Sequence, residues 1–412
     1  MNPRAIAARC LTLLAGTILS VCPASMNAAE QLPSQRISLP GRPFGVVVSG
    51  DQKWIFVSVA APQGKQSGIV VLREDGGKFE TVRFAPMGRT PNGLVLTHDG
   101  SMLIAAADDY VVFFDVQCLI TGAEAPAFQW VFRAHKAGSI CVNVTDDDKT
   151  LFVTDEWLKT ITVIDLDRIR ALGRDSAVNL KRADDRDGAR TAVIGHIPVG
   201  LSPVAMVFSN DQRWLFTTSE VAAPDWNWPR TLEPEQKKPG AEKVPEGAVV
   251  VIDVAKARTN PEGCIVARAP SGGSPVRLAL SPDGKLLYVS ARASNAVRVF
   301  DTDSLIRDLG HAKSSTIRVG ESPVPIVLVA NGSYALVGNS KRFSSDSAQD
   351  STLTVVSTSR VGSGTDPVVG TLPCGGFPRN FCLAPDGTTL FLTNYLSQSL
   401  QVIDVSRIAS AY

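Results

Sequence analysis

Apolar runs alternate along the chain with short polar turns, and this alternation repeats. In the clearest copy, an apolar run over residues 273–280 leads into the turn Pro282-Asp283-Gly284, and two β-rich runs follow over residues 286–290 and 296–301. A unit that recurs about every 48 residues in its shortest spacing indicates a repeat architecture. The seven turn residues are Asp51, Asp99, Asp147, Asp211, Asp283, Asn331 and Asp386.

The repeating unit predicts strands. Its apolar runs are short, rich in Val, Ile, Leu and Phe, and bounded by Gly, Pro and Asp, which is the signature of strands. Four of the turns carry Asp-Gly or Asn-Gly, which supplies the positive φ of a tight hairpin. The turns at Asp51, Asp147 and Asp211 lack this glycine, so we expect them to be looser. We predict an all-β fold: a seven-bladed β-propeller of four-stranded antiparallel blades, formed as one domain by residues 30–412.

The two ends of the chain are predicted to meet in the last blade. The last unit ends at Asp404 and leaves no residues for a fourth strand, whereas Arg36 to Leu39 has strand character and no unit of its own. We expect this N-terminal strand to complete the seventh blade, which removes the open edge of the ring.

The repeat resembles a known one. The pattern Ser-Pro-Asp-Gly-x-x-Leu-Tyr/Phe-Val-Thr/Ser-Asn/Asp is similar to the YVTN-type β-propeller repeat, and residues 151–155 and 390–394 are variants of its name motif. The resemblance covers nearly all of the chain after residue 29. It implies a relation to seven-bladed lactonases and muconate-cyclising enzymes, whose sites use arginine, carboxylate and sometimes histidine over the central channel. The same fold also hosts binding and scaffolding proteins, so it does not determine an activity.

The first 29 residues predict a secretory signal peptide. Arg4 and Arg9 precede an apolar run over residues 10–21, and small residues follow at Ala28 and Ala29. The run is too short for a comfortable membrane span, so we expect an exported protein, periplasmic or extracellular, with no transmembrane segment. A lipoprotein signal ending at Cys22 is the alternative. The formal net charge of +1 gives no electrostatic reason to expect nucleic acid as a partner.

The cysteines and histidines predict neither a metal nor a cofactor. The cysteines after the signal peptide show no CxxC spacing and no CxxCH haem attachment, and no three of the histidines converge by spacing. We expect these cysteines to be buried as small apolar residues; if one disulfide forms, Cys374 and Cys382 are the expected pair. The five cysteines are Cys118, Cys141, Cys264, Cys374 and Cys382.

Aligning the repeats brings several chemically active residues to the end of the channel where propellers form their sites. Arginines can bind a carboxylate or phosphate in bidentate fashion, carboxylates can transfer protons, and aromatic rings can stack on a ligand. The charged residues at this end could equally form structural ion pairs between blades instead of binding a ligand. Trp226, in an insertion over residues 221–246, has anchoring of this insertion as its alternative role. The candidate ligand-binding residues are Arg42, Arg89, Asp108, Glu156, Trp157, Glu220, Trp226, Arg277, Arg292, Arg379 and Tyr395.

Two functions follow from this reading. The first is an exported, monomeric propeller without a catalytic signature that binds a small anionic molecule, a glycan or an envelope protein over the channel, with Arg277 and Arg292 carrying the binding. The alternative, implied by the resemblance, is a lactonase-like hydrolase. In that case one of these arginines polarises the carbonyl, and Glu156 or Glu220 activates water. The export signal and the absence of histidine from the aligned ring favour the first function.

Overall fold

The computed structural model describes most of the chain, and this part forms seven antiparallel sheets. The described residues are 32–61, 66–122, 128–133, 136–171, 192–226, 231–232, 244–307, 312–342, 344 and 349–412. The predicted signal peptide and most of the insertions near residues 168–190 and 221–246 lie outside these ranges. None of the helices in the described ranges is long and apolar enough to span a membrane.

Each sheet is one blade of a propeller, and its strands follow one another along the chain. The first strand of the chain, β1 (Ser34–Ser38), belongs to the last blade. Blade 1 contains β2 (Arg42–Val48), β3 (Trp54–Ala60), β4 (Ser67–Asp75) and β5 (Lys78–Met87). Blade 2 contains β6 (Leu94–Leu96), β7 (Met102–Ala107), β8 (Tyr110–Asp115) and β9 (Phe128–Arg133). Blade 3 contains β10 (Ser139–Val144), β11 (Thr150–Asp155), β12 (Thr160–Asp165) and β13 (Val193–Pro198).

The remaining blades follow the same order, with one extra short strand in blade 4. This blade contains β14 (Leu201–Phe208), β15 (Trp214–Val221), β16 (Thr231–Leu232), β17 (Val244–Asp253) and β18 (Ile265–Gly273), with β16 paired to β17. Blade 5 contains β19 (Pro275–Leu280), β20 (Leu286–Ala291), β21 (Ala296–Asp301) and β22 (Ser314–Arg318). Blade 6 contains β23 (Pro323–Val329), β24 (Tyr334–Asn339), β25 (Ser351–Ser357) and β26 (Val368–Cys374). Blade 7 contains β27 (Pro378–Leu383), β28 (Thr389–Asn394), β29 (Ser399–Asp404) and β1.

Short helices connect or follow some of the strands. The α-helices are α1 (Val116–Thr121), α2 (Leu166–Ala171), α3 (Val254–Ala257), α4 (Thr302–Arg307) and α5 (Ile408–Ala411). The 3-10 helices are Pro224–Trp226, Pro261–Gly263, Arg292–Ser294 and Thr358–Arg360.

The hydrophobic core lies between neighbouring blades. The first strands of adjacent blades contact one another around the channel, and each sheet packs its two faces against the sheets beside it. One core cluster, for example, joins Ile104 and Phe113 of blade 2 to Leu151 and Val153 of blade 3. Burial on both faces accounts for the uninterrupted apolar runs of the sequence, since every residue of β7 is buried.

The predicted closure of the ring is confirmed. β1 pairs antiparallel with β29, in a register that runs from Ser34 opposite Ile403 to Ser38 opposite Ser399. The N-terminal strand therefore supplies the outermost strand of blade 7, beginning two residues before the segment predicted from the sequence. Behind this junction, Leu39 packs in one apolar cluster with residues of blades 1 and 7.

The turns at Asp51, Asp147 and Asp211, which lack glycine, share the geometry of the Asp-Gly turn at Asp283. Gln52, Asp148 and Gln212 take φ values of 62°, 53° and 58°, in the same left-handed region as Gly284 at 73°. Each donates its N–H to the carbonyl three residues earlier, as Gln52 does to Ser49 at 2.9 Å. The expectation of looser turns at Asp51, Asp147 and Asp211 was therefore wrong.

The side chain of the turn aspartate explains why glycine is dispensable. Asp51 Oδ1 accepts hydrogen bonds from the Ser49 hydroxyl at 2.6 Å and from the Lys53 N–H at 3.1 Å. The same pair of bonds recurs at Asp147, from Thr145 at 2.5 Å and Lys149 at 3.1 Å. These local bonds hold the left-handed residue in place, so the backbone preference of glycine is not needed.

A hydroxyl on the second strand of four blades binds the first strand of the next blade or, in blade 2, the segment just before it. Ser58 donates to the carbonyl of Asn92 at 2.5 Å, Thr154 to Val204 at 3.0 Å, and Ser290 to Val324 at 2.8 Å. Thr393 donates to the carbonyl of Phe44 at 2.9 Å and so crosses from blade 7 to blade 1. These residues occupy the Thr/Ser position of the repeat motif, which therefore binds neighbouring blades together.

Cys374 and Cys382, the pair expected if one disulfide formed, are not bonded to each other and are free thiols. Cys264 and Cys374 are buried, whereas the other three cysteines named above are half-buried. Burial raises the pKa of Cys374 to about 12 and that of Cys382 to about 11. Cys264 and Cys374 are buried as expected for cysteines that pack as small apolar residues. The three half-buried cysteines fit this expectation only in part.

The turn aspartates predict loss of stability in acid. Burial opposes ionisation of Asp147, but hydrogen bonds from Arg258, Thr145 and the Lys149 N–H outweigh it and lower its pKa from 3.8 to about 2. Because the pKa of Asp147 is lower in the folded than in the unfolded protein, its ionised carboxylate stabilises the fold at neutral pH. This contribution disappears as the pH falls from about 4 to about 2. The pKa values of Asp51, Asp99, Asp211, Asp283 and Asp386 are lowered too.

Replacing Asp147 by Asn should therefore reduce stability at neutral pH by about 1 kcal/mol, allowing for solvent screening. The difference from the wild type should shrink as the pH approaches 2, as measured by urea unfolding at several pH values. Asp303→Asn removes an exposed carboxylate and is the matched control. A difference that does not change with pH would contradict the prediction.

The bond across the closure predicts a second measurable cost. Thr393→Val keeps the shape of the side chain but leaves the buried carbonyl of Phe44 without the hydroxyl donor. We expect a loss of about 1–3 kcal/mol in the free energy of unfolding. Thr371→Val, at an exposed position of β26, should change it by less than about 0.5 kcal/mol. Equal effects of the two substitutions would show that the hydroxyl bond does not stabilise the closure.

Candidate functional site

Four arginines from three blades converge at one end of the channel. We call Arg277, Arg292, Arg342 and Arg379 the arginine cluster. Arg277 lies on β19 and Arg379 on β27, the innermost strands of blades 5 and 7, while Arg292 and Arg342 follow the second strands of blades 5 and 6. They are close enough for the charges of Arg277, Arg342 and Arg292 to lower the pKa of Arg379. Several like charges are therefore held together in a partly desolvated site.

Arg292 is paired with a carboxylate. Its guanidinium donates to Glu220 Oε2 at 2.7 Å, and Ser274 donates to the same oxygen at 2.7 Å. The side chains of Arg292 and Glu220 are only 10% and 21% exposed. This part of the ring is an ion pair between blades 4 and 5, as the structural interpretation of the sequence had it. Arg292, one of the two arginines expected to bind a ligand, is thus engaged by Glu220.

Arg379 is placed differently, because aromatic rings surround it and no described carboxylate lies within ion-pair distance. Its guanidinium carbon lies 4.3 Å from the ring centroid of Phe44 and 5.4 Å from that of Phe377. Its Nε is buried and has no hydrogen-bond partner among the described residues. Burial, reinforced by repulsion from Arg277, lowers the pKa of Arg379 well below its ordinary value. The charge is therefore held at a cost in free energy.

Arg277 also lacks a carboxylate partner in the described ranges. Its side chain donates to the carbonyl of Val276 at 3.0 Å, and its guanidinium carbon lies 5.8 Å from the ring of Phe44. The residue is only 8% exposed. Cys141 lies near both this arginine and Arg379, whose charges partly offset the rise in its thiol pKa caused by burial.

Glu156 is the second carboxylate beside the cluster. Burial is the main cause of its raised pKa, and repulsion from Glu220 adds to it, while Arg342, Arg379 and Arg292 act in the opposite direction. Glu220 is engaged by Arg292, and neither Arg277 nor Arg379 forms an ion pair with a carboxylate in the described part of the chain.

A cavity of about 420 Å³ opens beside Arg379, within the size range of small-molecule sites. Two arginines and one carboxylate lie on its wall, and most of the other lining is apolar or aromatic. The lining residues are Phe44, Ala60, Thr90, Pro91, Asn92, Asp108, Ile140, Arg342, Phe377, Arg379, Tyr395 and Leu396.

Phe377 has a strained backbone at this site. Its φ is 55°, a region that bulky residues rarely adopt. Phe377 precedes Pro378, and blades 4, 5 and 6 have a proline at the corresponding position, Pro203, Pro275 and Pro323; we call these four the lead-in prolines. The residues before the lead-in prolines of blades 4, 5 and 6 are Ser202, Ser274 and Ser322, with φ between 51° and 52°. The repeat therefore imposes the left-handed conformation, and blade 7 places an aromatic ring where the others have a small hydroxyl side chain. Strain of this kind is concentrated at functional sites.

The predicted site residues divide into three groups. Arg379, Asp108 and Tyr395 line the cavity, and Arg277, Arg292, Glu156 and Glu220 lie beside it within the charged ring. Arg42 and Arg89 are not among the lining residues; the guanidinium of Arg42 lies 5.7 Å from the ring of Tyr395, which lines the cavity, and that of Arg89 lies 4.8 Å from the ring of Tyr110.

The two tryptophans lie outside the cavity lining. The indole of Trp157 is 62% exposed and packs on Gly138, where a Cβ would be 2.9 Å from the ring. Trp226 packs on the core of blades 3 and 4, with the guanidinium of Arg268 4.5 Å from its ring. This contact favours the anchoring role of Trp226 over a role as a cap on the channel.

The sequence prediction missed Phe44, Phe377 and Asn92, which line the cavity. Phe377 could have been found by comparing the residues that precede the lead-in prolines, because it replaces serine there. Arg342 is a further lining residue that the sequence prediction did not assign to the site. Nothing in the periodicity distinguishes Phe44.

A larger groove, of about 760 Å³, lies at the junction of blades 7 and 1 near the turns of Gln52 and Asp386. It is at the opposite end of the blades from the arginine cluster. Its walls hold no buried arginine, so the smaller cavity carries the stronger chemical signal. Within the described residues, no group of three or more His, Cys, Asp or Glu side chains is arranged to hold a metal ion.

Comparison with known proteins supports the fold. No family model matches the sequence, and the curated proteins give no match. Among solved structures, the chain is similar to one from Kuenenia stuttgartiensis hydrazine synthase, with 17% sequence identity and a TM-score of 0.62. The alignment covers 93% of this chain and 99% of that one. At this level of identity the likeness shows the seven-bladed propeller and nothing about activity.

The contrast between Arg379 and Arg292 predicts opposite effects on stability. Arg379→Met removes a half-buried charge that has no ion-pair partner among the described residues, so the free energy of unfolding should rise by about 1–3 kcal/mol without ligand. Arg292→Met removes the arginine partner of Glu220, so the free energy of unfolding of this variant should fall by about 1–3 kcal/mol. Chemical unfolding at pH 7 measures both. A loss of stability in Arg379→Met would show that its charge is compensated in a way this geometry does not contain.

Proposed function

We propose that this protein binds a small organic anion in the cavity over the central channel. The observation that carries the proposal is the position of Arg379 between Phe44 and Phe377, with a buried Nε and no carboxylate partner in the described part of the chain. A bound carboxylate or phosphate supplies the missing counter-charge and accepts the free donors of the guanidinium.

The surroundings of Arg379 favour an organic anion over an inorganic ion. The cavity that contains Arg342 and Arg379 is also lined by Phe44, Phe377, Tyr395 and Leu396. Burying an apolar body against these side chains adds affinity that a free inorganic anion cannot gain. The volume suits a molecule of small-metabolite size.

The lactonase-like alternative has weaker support. Glu220, one of the two expected bases, accepts bonds from Arg292 and Ser274, which reduces its capacity to activate water. Glu156 keeps a raised pKa, as a general base often does, but it is not among the residues that line the cavity.

Export and the relation to YVTN propellers remain part of the proposal. The sequence of residues 1–29 supports delivery to the periplasm or the cell exterior, and the repeat motif supports the family relation. In this role the protein acts as a monomeric binding protein of the envelope, with no metal or cofactor. A glycan or partner protein with an exposed carboxylate fits the same arginines.

The test is a panel of aromatic and aliphatic carboxylates and phosphate esters, screened by thermal shift and confirmed by calorimetry. We expect saturable binding in the wild type and a loss of about tenfold to a hundredfold in Arg379→Met, as for other hydrogen bonds to charged groups. Arg307→Gln, at an exposed residue that is not in the cavity lining, should bind as the wild type does. Binding unchanged in Arg379→Met, or no binding across the panel, would overturn the proposal. Turnover of a lactone panel would favour the hydrolase instead.

A further inference from the structure

The binding cavity has positively charged residues on one side and a negatively charged residue on the other. Arg342 and Arg379, from blades 6 and 7, stand on one side, and Asp108, from blade 2, stands on the other. Blade 1 lies between blades 7 and 2 in the closed ring, and its Phe44 and Ala60 line the space between. A simple anion would satisfy the first side and be repelled by the second.

Asp108 is held in the cavity by its backbone. Its φ is 53°, a left-handed conformation, and its carbonyl accepts a hydrogen bond from the Ser139 N–H of blade 3 at 2.5 Å. This bridge pins the residue at the junction of two blades. A non-glycine residue in this conformation and at a channel rim is a common feature of binding sites.

The Asp108 carboxylate has no ion-pair partner in the part of the chain that the structure describes. Asp108 is exposed to solvent, and partial desolvation of its carboxyl group is the main cause of its raised pKa. A hydrogen bond with Asn92 and the charge of Arg89 oppose the rise, and the charge of Asp109 adds to it. Arg89 is itself engaged, because its guanidinium donates to the Tyr110 hydroxyl at 3.0 Å and lies over that ring. The carboxylate therefore remains available to a cationic group of a ligand.

The lining between the two charged sides is apolar. Phe44, Ile140, Tyr395, Leu396 and Pro91 contribute to it, and the rings of Phe377 and Tyr395 meet edge to face at 5.5 Å. Blade 1 lies between blades 7 and 2, and stacked sheets pack about 10 Å apart, so we expect the two charged groups to be further apart than the adjacent charges of an α-amino acid.

We infer that the ligand is a small zwitterion whose carboxylate and ammonium groups are separated by an apolar or aromatic body. Its carboxylate binds Arg379, its ammonium binds Asp108, and its body packs against the Phe44–Tyr395 lining. This inference rests on the proposed anion-binding function and narrows it to one chemical class.

Four probes test the inference by calorimetry on the purified protein. 4-(Aminomethyl)benzoate carries both charges at the two ends of a ring, 4-methylbenzoate lacks the ammonium, 4-methylbenzylamine lacks the carboxylate, and phenylalanine carries its charges side by side. We expect 4-(aminomethyl)benzoate to bind at least about tenfold more tightly than any of the other three.

Asp108→Asn should remove this preference. It should weaken 4-(aminomethyl)benzoate about tenfold or more and leave 4-methylbenzoate unchanged or slightly tighter, because a repelling charge is gone. Asp303→Asn, at an exposed carboxylate outside the cavity lining, is the matched control and should preserve the order of the probes.

The outcomes separate the inference from the proposed function. If 4-methylbenzoate binds as tightly as 4-(aminomethyl)benzoate, anion binding stands and the zwitterion is ruled out. If phenylalanine binds more tightly, the separation of the charges is wrong. If no probe binds, the zwitterion is ruled out, and the carboxylate and phosphate panel decides the proposed function separately. The comparison of probes in the wild type decides the question even if Asp108→Asn fails to fold.

Discussion

The structure depends on one constraint: each blade has two apolar faces, and only its neighbours can cover them. Seven blades satisfy this condition when the ring is closed, so the pairing of β1 with β29 protects every face and removes the open edge. Hydroxyl bonds such as that from Thr393 to the Phe44 carbonyl then fix neighbouring blades at a set distance. The width of the channel, and with it the spacing of the arginines, follows from this closure.

The candidate site lies at the same junction that closes the ring. Phe44 belongs to the first blade and Arg379 to the last, yet the guanidinium lies 4.3 Å from the ring because the closure brings their strands together. The backbone carbonyl of Phe44 is the acceptor of the Thr393 bond. A contact that stabilises the fold therefore also positions an aromatic wall of the cavity, and damage to the closure would distort the site.

The sequence predicted the fold well and the site in part. Blade number, strand order and closure follow from the repeat, because periodicity and turn residues are properties of the chain itself. The turn at Asp147 was misjudged because its side-chain bonds replace glycine, a detail that depends on local geometry. Aligning the repeats found Arg379 and Asp108. It could not show that Arg292 pairs with Glu220 across two blades, since lateral distances between side chains are not encoded in the period.

The residues that break the local rules are grouped together. Arg379 carries a half-buried charge, with a buried Nε and no ion-pair partner among the described residues, and Phe377 carries a bulky ring at φ 55°. Each feature costs stability, and each lies where seven mutually packed blades leave the backbone little freedom to relax. A sequence selected only to fold would place an apolar residue at the position of Arg379 and serine at the position of Phe377. Blades 4 to 6 have these residue types at the two positions. That both costs are kept at one cavity is a physical reason to regard this cavity as the functional part of the molecule.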